Sequence, residues 1–229
     1  GGQRQSRGNP NRARRGADLR YFLEIDLKDV LTGLEKEISF DTETTCGTCE
    51  GSGGKDGSKP VTCAHCGGRG QVVQRQGFFS MATPCPVCRG EGQTIKDPCP
   101  KCRGRGRVPQ RKKLLVNVPA GVDNGTQLRL TGEGEEGFKG AGPGDLYVEI
   151  RVSEHDVFQR REEHLIAALE INYIQALLGA EVPFETLRGT ENVKVPKGVQ
   201  QGELVRLKGQ GVPSLRGGRV GDLILEVQV

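Results

Sequence analysis

The chain has 229 residues, a formal net charge of +4, and 34% hydrophobic but only 4% aromatic residues. This length allows one large or two ordinary domains, and the modest apolar content predicts several small cores rather than one large core. No apolar run approaches the roughly 20 residues of a membrane span, and no signal-peptide pattern opens the chain, so we expect a soluble protein of a reducing, cytoplasmic compartment.

The first segment, residues 1–16, holds five arginines and no acidic residue, which predicts a flexible Gly/Arg linker. Apolar and polar residues then alternate from Leu19 to Ile25, as expected of a β-strand. Short helices are expected around Leu27 to Leu34 and, much later in the chain, around Tyr173 to Leu178.

Eight cysteines follow in four copies of the pattern Cys-x-x-Cys-x-Gly-x-Gly, all between Cys46 and Gly106. Two thiolates separated by two residues can occupy one edge of the tetrahedron that Zn²⁺ prefers, and glycines allow the sharp turn of a zinc knuckle. Four pairs therefore predict two zinc ions. The spacing alone leaves three pairings of the knuckles open. His65 lies inside the second knuckle, but eight thiolates already complete two sites.

Paired cysteines also serve in disulfide frameworks and in redox-active Cys-x-x-Cys motifs. A disulfide framework does not need this spacing, and a redox motif normally occurs singly beside a βαβ pattern, so zinc is favoured. The segment from Lys96 to Lys113 carries eight cations against one acid, Asp97. A tetrathiolate zinc centre is formally an anion, so neighbouring cations can stabilise it without an external ligand. Two zinc ions and eight thiolates would leave the whole chain near neutral, which gives no indication of nucleic-acid binding.

The remaining sequence contains an internal duplication with an offset of 77 residues. Val118-Pro119-x-Gly121 recurs as Val195-Pro196-x-Gly198, and Gly144-Asp145-Leu146 recurs as Gly221-Asp222-Leu223. An upstream piece repeats as well, because Leu23-Glu24-Ile25-Asp26 resembles Leu169-Glu170-Ile171-Asn172. The stretch from Gly33 to Gly125 is 69 residues longer than its counterpart from Gly179 to Gly202, and the extra residues hold the cysteines.

These patterns predict a mainly β chain with two tandem, homologous, β-sandwich-like domains, the first interrupted by a two-zinc, cysteine-rich module. The expected bounds are 17–44 and 112–152 for the first β domain, 45–111 for the zinc module, and 153–229 for the second β domain.

Four such cysteine repeats inserted into the first of two duplicated β domains resemble the class A J-domain co-chaperones, the DnaJ family. The Gly-Phe-Phe stretch at Gly77 to Phe79, the Gly-Asp-Leu turns and the segment from Arg15 to Leu19 are also similar to that family. The resemblance covers essentially the whole chain. It implies binding of unfolded or apolar polypeptide clients, suppression of their aggregation, and delivery to a DnaK-type ATP-dependent chaperone.

The resemblance also implies the site residues. One zinc ion would be held by Cys46, Cys49, Cys99 and Cys102, and the other by Cys63, Cys66, Cys85 and Cys88. The family's peptide pocket would correspond to Leu19, Ile38, Phe40, Leu114 and Val148, although strand aliphatics of this kind are equally expected in an ordinary core. Phe78, Phe79 and Met81 fall at the tip of the zinc module, where they can either cover the knuckles or contact a client or partner.

Two features depart from the family pattern. No His-Pro-Asp tripeptide occurs in the sequence, so stimulation of the partner's ATPase is not expected of this chain. The sequence stops at Val229, where relatives continue into a short helical dimerisation segment, so we expect this fragment to be monomeric and the full-length protein to be a homodimer.

Two other functions compete with client binding. The basic run and nearby aromatics would suit a zinc-knuckle binder of RNA or single-stranded nucleic acid, although aromatics are sparse. A thiol-disulfide isomerase would need an exposed thiolate of low pKa, whereas zinc-bound thiolates are protected. No nucleophile motif or phosphate loop surrounds the three histidines, so an enzyme is not expected.

Overall fold

The structure is a computed structural model that describes residues 13–76, 79–138 and 140–229. Strands predominate in this part of the chain, so the prediction of a mainly β fold is confirmed. The strands are Leu19–Ile25 (β1), Leu34–Thr45 (β2), Val61–Thr62 (β3), Gln71–Gln76 (β4), Phe79–Pro84 (β5), Gln93–Thr94 (β6), Arg107–Val118 (β7), Gln127–Leu130 (β8), Leu146–Val152 (β9), Gln159–Arg161 (β10), His164–Glu170 (β11), Ala180–Thr186 (β12), Gly189–Val195 (β13), Leu204–Leu207 (β14) and Leu223–Gln228 (β15). The helices are Leu27–Thr32 (α1) and Tyr173–Leu178 (α2), and a 3-10 turn covers Lys55–Gly57.

Sheet topology repeats in the two halves of the duplication. In the first half the strand order is β1-β9-β8, and in the second half the equivalent strands form β11-β15-β14, with β10 added beside β11. The pair β2-β7 likewise corresponds to the pair β12-β13. Similar alternation of apolar residues thus produces the same strand order twice, as expected of two homologous β domains.

Each short helix begins and ends in the same way. The side chain of Asn172 accepts from the N–H of Gln175 at 2.9 Å, and the Gln175 side chain accepts from the N–H of Asn172 at 2.9 Å. Before α1, the carboxylate of Asp29 accepts from the N–H of Asp26 at 3.3 Å. Such reciprocal bonds satisfy backbone donors at a helix start. Both helices end at a glycine with positive φ, Gly33 and Gly179, which explains why α1 stops two residues before Leu34.

Contacts divide the chain into two compact units. One comprises residues 13–20 with Ser39–Lys112 and Arg129–Tyr147, and it contains all eight cysteines. The other comprises Tyr21–Ile38, Lys113–Leu128 and Val148–Val229, and it contains both helices and the four-stranded sheet. The domain bounds expected from the duplication stay a prediction.

The interiors of the two units differ in chemistry. In the second unit strand residues alternate between core and surface, so that Leu223, Leu225 and Val227 of β15 are buried. In the first unit, by contrast, the buried apolar side chains among the described residues from Cys46 to Gly106 are all cysteines. No helix in the described ranges is long and apolar enough to cross a membrane.

Candidate metal centres

Each cysteine repeat folds into a knuckle in which the second glycine binds the second thiol. The N–H of Gly53 points to Cys49 Sγ at 3.3 Å, and the other three repeats show the same contact at 3.2 Å: Gly70 to Cys66, Gly92 to Cys88 and Gly106 to Cys102. Backbone N–H groups aimed at sulfur stabilise a thiolate. The local sequence therefore builds half of an anionic metal site in each copy.

The knuckles associate in two pairs, the first with the fourth and the second with the third. The N–H of Cys46 donates to the carbonyl of Gly106 at 2.9 Å, and the N–H of Cys99 donates to the carbonyl of Gly53 at 2.8 Å. The inner pair repeats this exchange at 3.0 and 2.9 Å. A Cβ on Gly106 would lie 2.4 Å from the carbonyl oxygen of Gly51, and the φ of Gly106 is +73°. Only glycine fits there without displacing the partner knuckle.

Pairing of the knuckles produces two compact groups of four thiols, with ligand atoms within 4.8 Å of one another in each group. In one group Cys46 and Cys99 Sγ are 4.0 Å apart, and Cys49 and Cys102 Sγ are 3.6 Å apart. The corresponding distances in the other group are 4.0 Å between Cys63 and Cys85 and 3.7 Å between Cys66 and Cys88. A Zn–S bond of about 2.3 Å gives tetrahedral edges of roughly 3.8 Å, so both groups fit a four-coordinate ion. They are far too open for disulfides.

The thiols within a group do not ionise alike. Burial opposes ionisation of Cys46, but the N–H groups of Thr48 and Cys49 and the neighbouring thiols lower its pKa to about 7. Burial is likewise outweighed at Cys88, whose pKa falls to about 7 because of the N–H groups of Gly92 and Gly90. Burial instead raises the pKa of Cys49 to about 11. An incoming metal ion must therefore displace protons, and acid favours the metal-free thiols.

These two groups of four cysteines are the same two ligand sets that the family resemblance implied. Of the three pairings that the spacing allows, the structure brings together the first and fourth knuckles and the second and third. His65 is exposed and belongs to neither group. Both groups can hold a metal ion with protein ligands alone.

Comparison with known proteins supports the same assignment. Residues 19–229 match the family model described as the DnaJ C terminal domain. The chain belongs to the DnaJ C-terminal domain family. It is 55% identical over 228 residues to the Chaperone protein DnaJ of Bdellovibrio bacteriovorus and 48% identical over 219 residues to that of Maridesulfovibrio salexigens. These matches cover 100% and 96% of this chain but 62% and 59% of the two relatives, so the chain spans about three fifths of their length. The resemblance recognised in the cysteine repeats is confirmed.

In this DnaJ-family chain a buried arginine lies where the cysteine segment returns to β7. The Arg107 guanidinium donates to the carbonyl of Glu136, lies 3.6 Å from the carboxylate of Glu135, and stacks at 4.2 Å over the ring of Phe138. Glu136 in turn accepts from the N–H of Thr45 at 2.7 Å, and this bond is the main reason that its pKa is lowered. The last residue of β2 and the first residue of β7 are thus bound to one loop.

The repeated Gly-Asp-Leu sequence has a structural explanation that sequence reasoning missed. The buried carboxylate of Asp145 accepts from the N–H of Gly132 at 2.9 Å and pairs with Arg15 at 2.8 Å and Arg129 at 2.6 Å. The N–H of Gly132 and then Arg15 are the main groups that lower the pKa of Asp145 to about 2. The repeat of Gly-Asp-Leu in the sequence indicated that this aspartate has a structural role. Its partners could not be identified from the sequence, because Arg15, Arg129 and Gly132 are not adjacent to Asp145 in the chain.

The second repeat keeps part of this arrangement. The carboxylate of Asp222 accepts from the N–H of Gly209 at 2.9 Å, while Arg206 lies farther away at 3.7 Å. The backbone N–H of Asp222 donates to His164 Nδ1 at 3.0 Å, whereas that of Asp145 donates to Asp18 at 2.8 Å. The motif therefore anchors the same turn in both copies, more tightly in the first.

The residues expected to form a peptide pocket differ in exposure. Leu19, Phe40 and Leu114 are half-buried, whereas Ile38 and Val148 are fully buried. Their role in binding peptide stays a prediction. At the tip of the cysteine segment, Met81 is exposed on β5, and Phe79 begins that strand. Phe78 lies outside the described residues.

Proposed function

We propose that this chain is the client-binding part of a DnaJ-type co-chaperone. It binds unfolded or apolar polypeptide segments, prevents their aggregation, and hands them to a DnaK-type ATP-dependent chaperone in the cytoplasm. The observation that carries this proposal is the match of residues 19–229 to the DnaJ C-terminal domain, together with two relatives named Chaperone protein DnaJ.

We further propose that each group of four thiols binds one Zn²⁺ in a structural role. Four thiolates fill every position of a tetrahedral ion and leave no open position for water or substrate, which is the pattern of structural rather than catalytic zinc. The ions would hold the paired knuckles together, and the module they stabilise would assist transfer of the client.

Client binding by this chain would rely on exposed strand edges, where backbone hydrogen bonds give affinity for many sequences. Of the five predicted pocket residues, Leu19, Phe40 and Leu114 keep part of their apolar surface accessible. Ile38 and Val148 are buried, so they would stabilise the strands by packing in the core rather than contact the client directly. Replacing an accessible member should weaken binding without unfolding the strand.

The direct experiment is titration of the zinc-loaded chain into a fluorescently labelled apolar peptide at low and high salt. Neighbouring leucines of β7 provide a matched pair, because Leu114 is half-buried whereas Leu115 is 61% exposed. We expect Leu114→Ser to weaken peptide affinity about tenfold, equivalent to about 1.4 kcal/mol, and Leu115→Ser to change it little. Equal effects of the two substitutions would exclude Leu114 from the binding site.

The same titration separates the competing functions. Peptide binding that responds weakly to salt supports the proposal. A single-stranded oligonucleotide should bind poorly, and steeply salt-dependent oligonucleotide binding without peptide binding would contradict the proposal, because counterion release dominates phosphate contacts.

A separate assay, the reduction of insulin disulfides, tests the isomerase alternative. Insulin reduction by the zinc-loaded chain would favour an isomerase, whereas reduction that begins only after zinc removal would come from thiols freed of metal.

A further inference from the structure

A short segment before β1, residues 14–17, lies along the loop that joins β8 to β9, and we call this segment the strap. Three backbone hydrogen bonds join the strap to the described part of the loop: from Gly16 N–H to the Gly142 carbonyl at 3.0 Å, from Phe138 N–H to the Arg14 carbonyl at 2.8 Å, and from Glu135 N–H to the Ala17 carbonyl at 3.0 Å. The side chain of Arg15 donates to the carbonyl of Pro143 at 3.0 Å and pairs with Asp145. The strap is therefore bound along its whole length.

Glycines line the slot that receives the strap, because larger residues would block it. A Cβ on Gly16 would lie 1.7 Å from the carbonyl oxygen of Glu135, and a Cβ on Gly144 would lie 2.1 Å from that of Ala17. Neither glycine has a positive φ, so close approach rather than backbone conformation requires glycine at both positions. A methyl group at either position should therefore displace the strap.

The second repeat fills its equivalent slot with a better anchored segment. The carbonyl of Glu163 accepts from the N–H of Val212 at 2.8 Å, and a Cβ on Gly221 would lie 1.7 Å from the oxygen of Glu163. There Glu163 belongs to the turn between the paired strands β10 and β11, and that pairing holds it in place. Residues 13–18 form no strand before β1, so the strap depends on its bonds to the loop.

The loop between β8 and β9 also binds both residues that flank the cysteine segment. Thr45, the last residue of β2, donates its N–H to the Glu136 carboxylate at 2.7 Å. The guanidinium of Arg107, the first residue of β7, stacks at 4.2 Å over the ring of Phe138. Phe138 thus contacts the strap through its backbone N–H and Arg107 through its ring.

These flanking residues are joined directly to the outer group of thiols, Cys46, Cys49, Cys99 and Cys102. Cys46 follows Thr45, and its N–H donates at 2.9 Å to the carbonyl of Gly106, which precedes Arg107. The N–H of Gly106 points to Cys102 Sγ at 3.2 Å. A shift of either flanking residue would therefore move the outer group. The inner group, Cys63, Cys66, Cys85 and Cys88, has no ligand beside either flanking residue.

We propose that the strap couples the chain upstream of β1 to the outer group, so that the bound strap favours metal binding there and a bound metal ion favours the bound strap. Coupling between two sites is reciprocal, so each must stabilise the other. A partner that pulled the strap from its slot would loosen the cysteine segment where it joins β2 and β7. This inference rests on the proposed binding of Zn²⁺ by the thiols.

The first test displaces the strap of the zinc-loaded chain by Gly16→Ala and follows hydrogen exchange by mass spectrometry. Rapid exchange of the Phe138 amide reports release of the strap. The Gly106 amide of the outer group should then exchange about tenfold faster, whereas the Gly92 amide of the inner group should not change. Gly142→Ala is the matched control, because no atom lies within 4 Å of its Cβ position, and it should exchange like the wild type.

The second test perturbs the outer group and observes the strap. Cys102→Ser removes a ligand of the outer group, and the Gly16 amide should exchange about tenfold faster because the strap loses the support of the metal. Cys66→Ser is the matched control, since it removes a ligand of the inner group and should leave the Gly16 amide protected. This test decides the question alone if Gly16→Ala prevents folding.

The outcomes distinguish the strap from the zinc sites. Unchanged exchange at Gly106 after release of the strap, or at Gly16 after Cys102→Ser, would overturn the coupling and leave zinc binding intact. Equal acceleration at Gly106 and Gly92 would also overturn it, because the effect would then not be specific to the outer group. A wild-type chain that takes up no zinc would overturn both this inference and the proposed zinc binding.

Discussion

The eight cysteine side chains have two roles in residues 46–106, because they are the proposed metal ligands and also the buried apolar residues of that segment. Their spacing and the following glycines were sufficient to predict two four-thiol sites. The spacing did not decide the pairing, because that depends on which knuckles exchange backbone hydrogen bonds. Family resemblance supplied the pairing that the structure shows.

Replacing Cys66 by Ser should remove one ion and keep the other. A neutral serine hydroxyl is a poor fourth ligand for Zn²⁺, and Cys66 contributes to one group alone. Metal analysis of the purified protein should therefore give one zinc ion per chain instead of two. His65→Ala is the control from the same knuckle and should retain both ions. Loss of both ions from the cysteine variant would show that the two sites depend on each other.

Asp145→Asn should destabilise the fold and reduce its sensitivity to acid. The pKa of Asp145 is about 2 in the folded chain, below the value of about 4 for an unfolded aspartate. Its stabilising contribution is therefore fully present above pH of about 4 and is lost as the pH falls towards 2. Thermal unfolding of the variant should shift down by several degrees at neutral pH and depend less on pH in that acid range.

The second repeat provides the control for that substitution. Asp222→Asn should have a smaller effect, because Arg206 lies 3.7 Å from Asp222 whereas Arg129 lies 2.6 Å from Asp145. Equal shifts in the two variants would show that the arginine pairs of Asp145 contribute little.

At the scale of elements, each knuckle supplies only half of a four-thiol group and needs a second knuckle to complete it. Its second glycine binds a thiol through its N–H, approaches the partner knuckle and has a positive φ. The sequence pattern predicted that glycine would be needed for a turn. The second reason, close approach of the paired knuckle, became visible only in the structure, because the two knuckles of the outer site lie about 50 residues apart in the chain.

Gly106→Ala should therefore weaken metal binding at the outer site. The added Cβ would meet the Gly51 carbonyl at 2.4 Å and push the paired knuckles apart, so zinc affinity of this site should fall about 10- to 100-fold in competition with a chelator. Gly47→Ala is the matched control within the same group, because no atom lies within 4 Å of its Cβ position and its φ is not positive. Comparable losses in both variants would contradict this explanation.

The strands and helices show which features can be predicted from local sequence patterns and which cannot. Alternation from Leu19 to Ile25 predicted β1, and the two short helices lie close to their predicted positions. The contacts of Arg107 with Glu135 and Glu136 could not be predicted, because they join residues almost 30 positions apart without a periodic signal. Exposure of α2 was missed as well, since an apolar helix is normally expected to be buried.

For the whole molecule, metal removal should unfold one part and spare another. The cysteine segment has two-residue strands β3 and β6, one hairpin, and no buried apolar side chains among its described residues besides the thiols. The proposed metal ions would therefore supply most of the folding energy of this segment. After chelation, the amides of Gly53, Gly70, Gly92 and Gly106 should exchange rapidly, whereas those of Val205 and Leu225 in the β14-β15 pair should remain protected.

Hydrogen exchange followed by mass spectrometry checks this expectation. Addition of zinc should restore slow exchange in the cysteine segment, which controls for irreversible damage. Loss of protection in β14-β15 on chelation would contradict independent stability of the second repeat.

The pair β12-β13 closes through a two-residue turn, since Thr186 is opposite Gly189 in the register. At the equivalent place in the first repeat, between Thr45 and Arg107, the chain carries the whole cysteine module. The same hairpin framework therefore tolerates tips of very different length, a two-residue turn in one repeat and the cysteine segment in the other. For protein engineering, the turn at Leu187 and Arg188 is therefore a suitable insertion site. A reporter domain or a second metal-binding module could be inserted there without interrupting the strands β12 and β13.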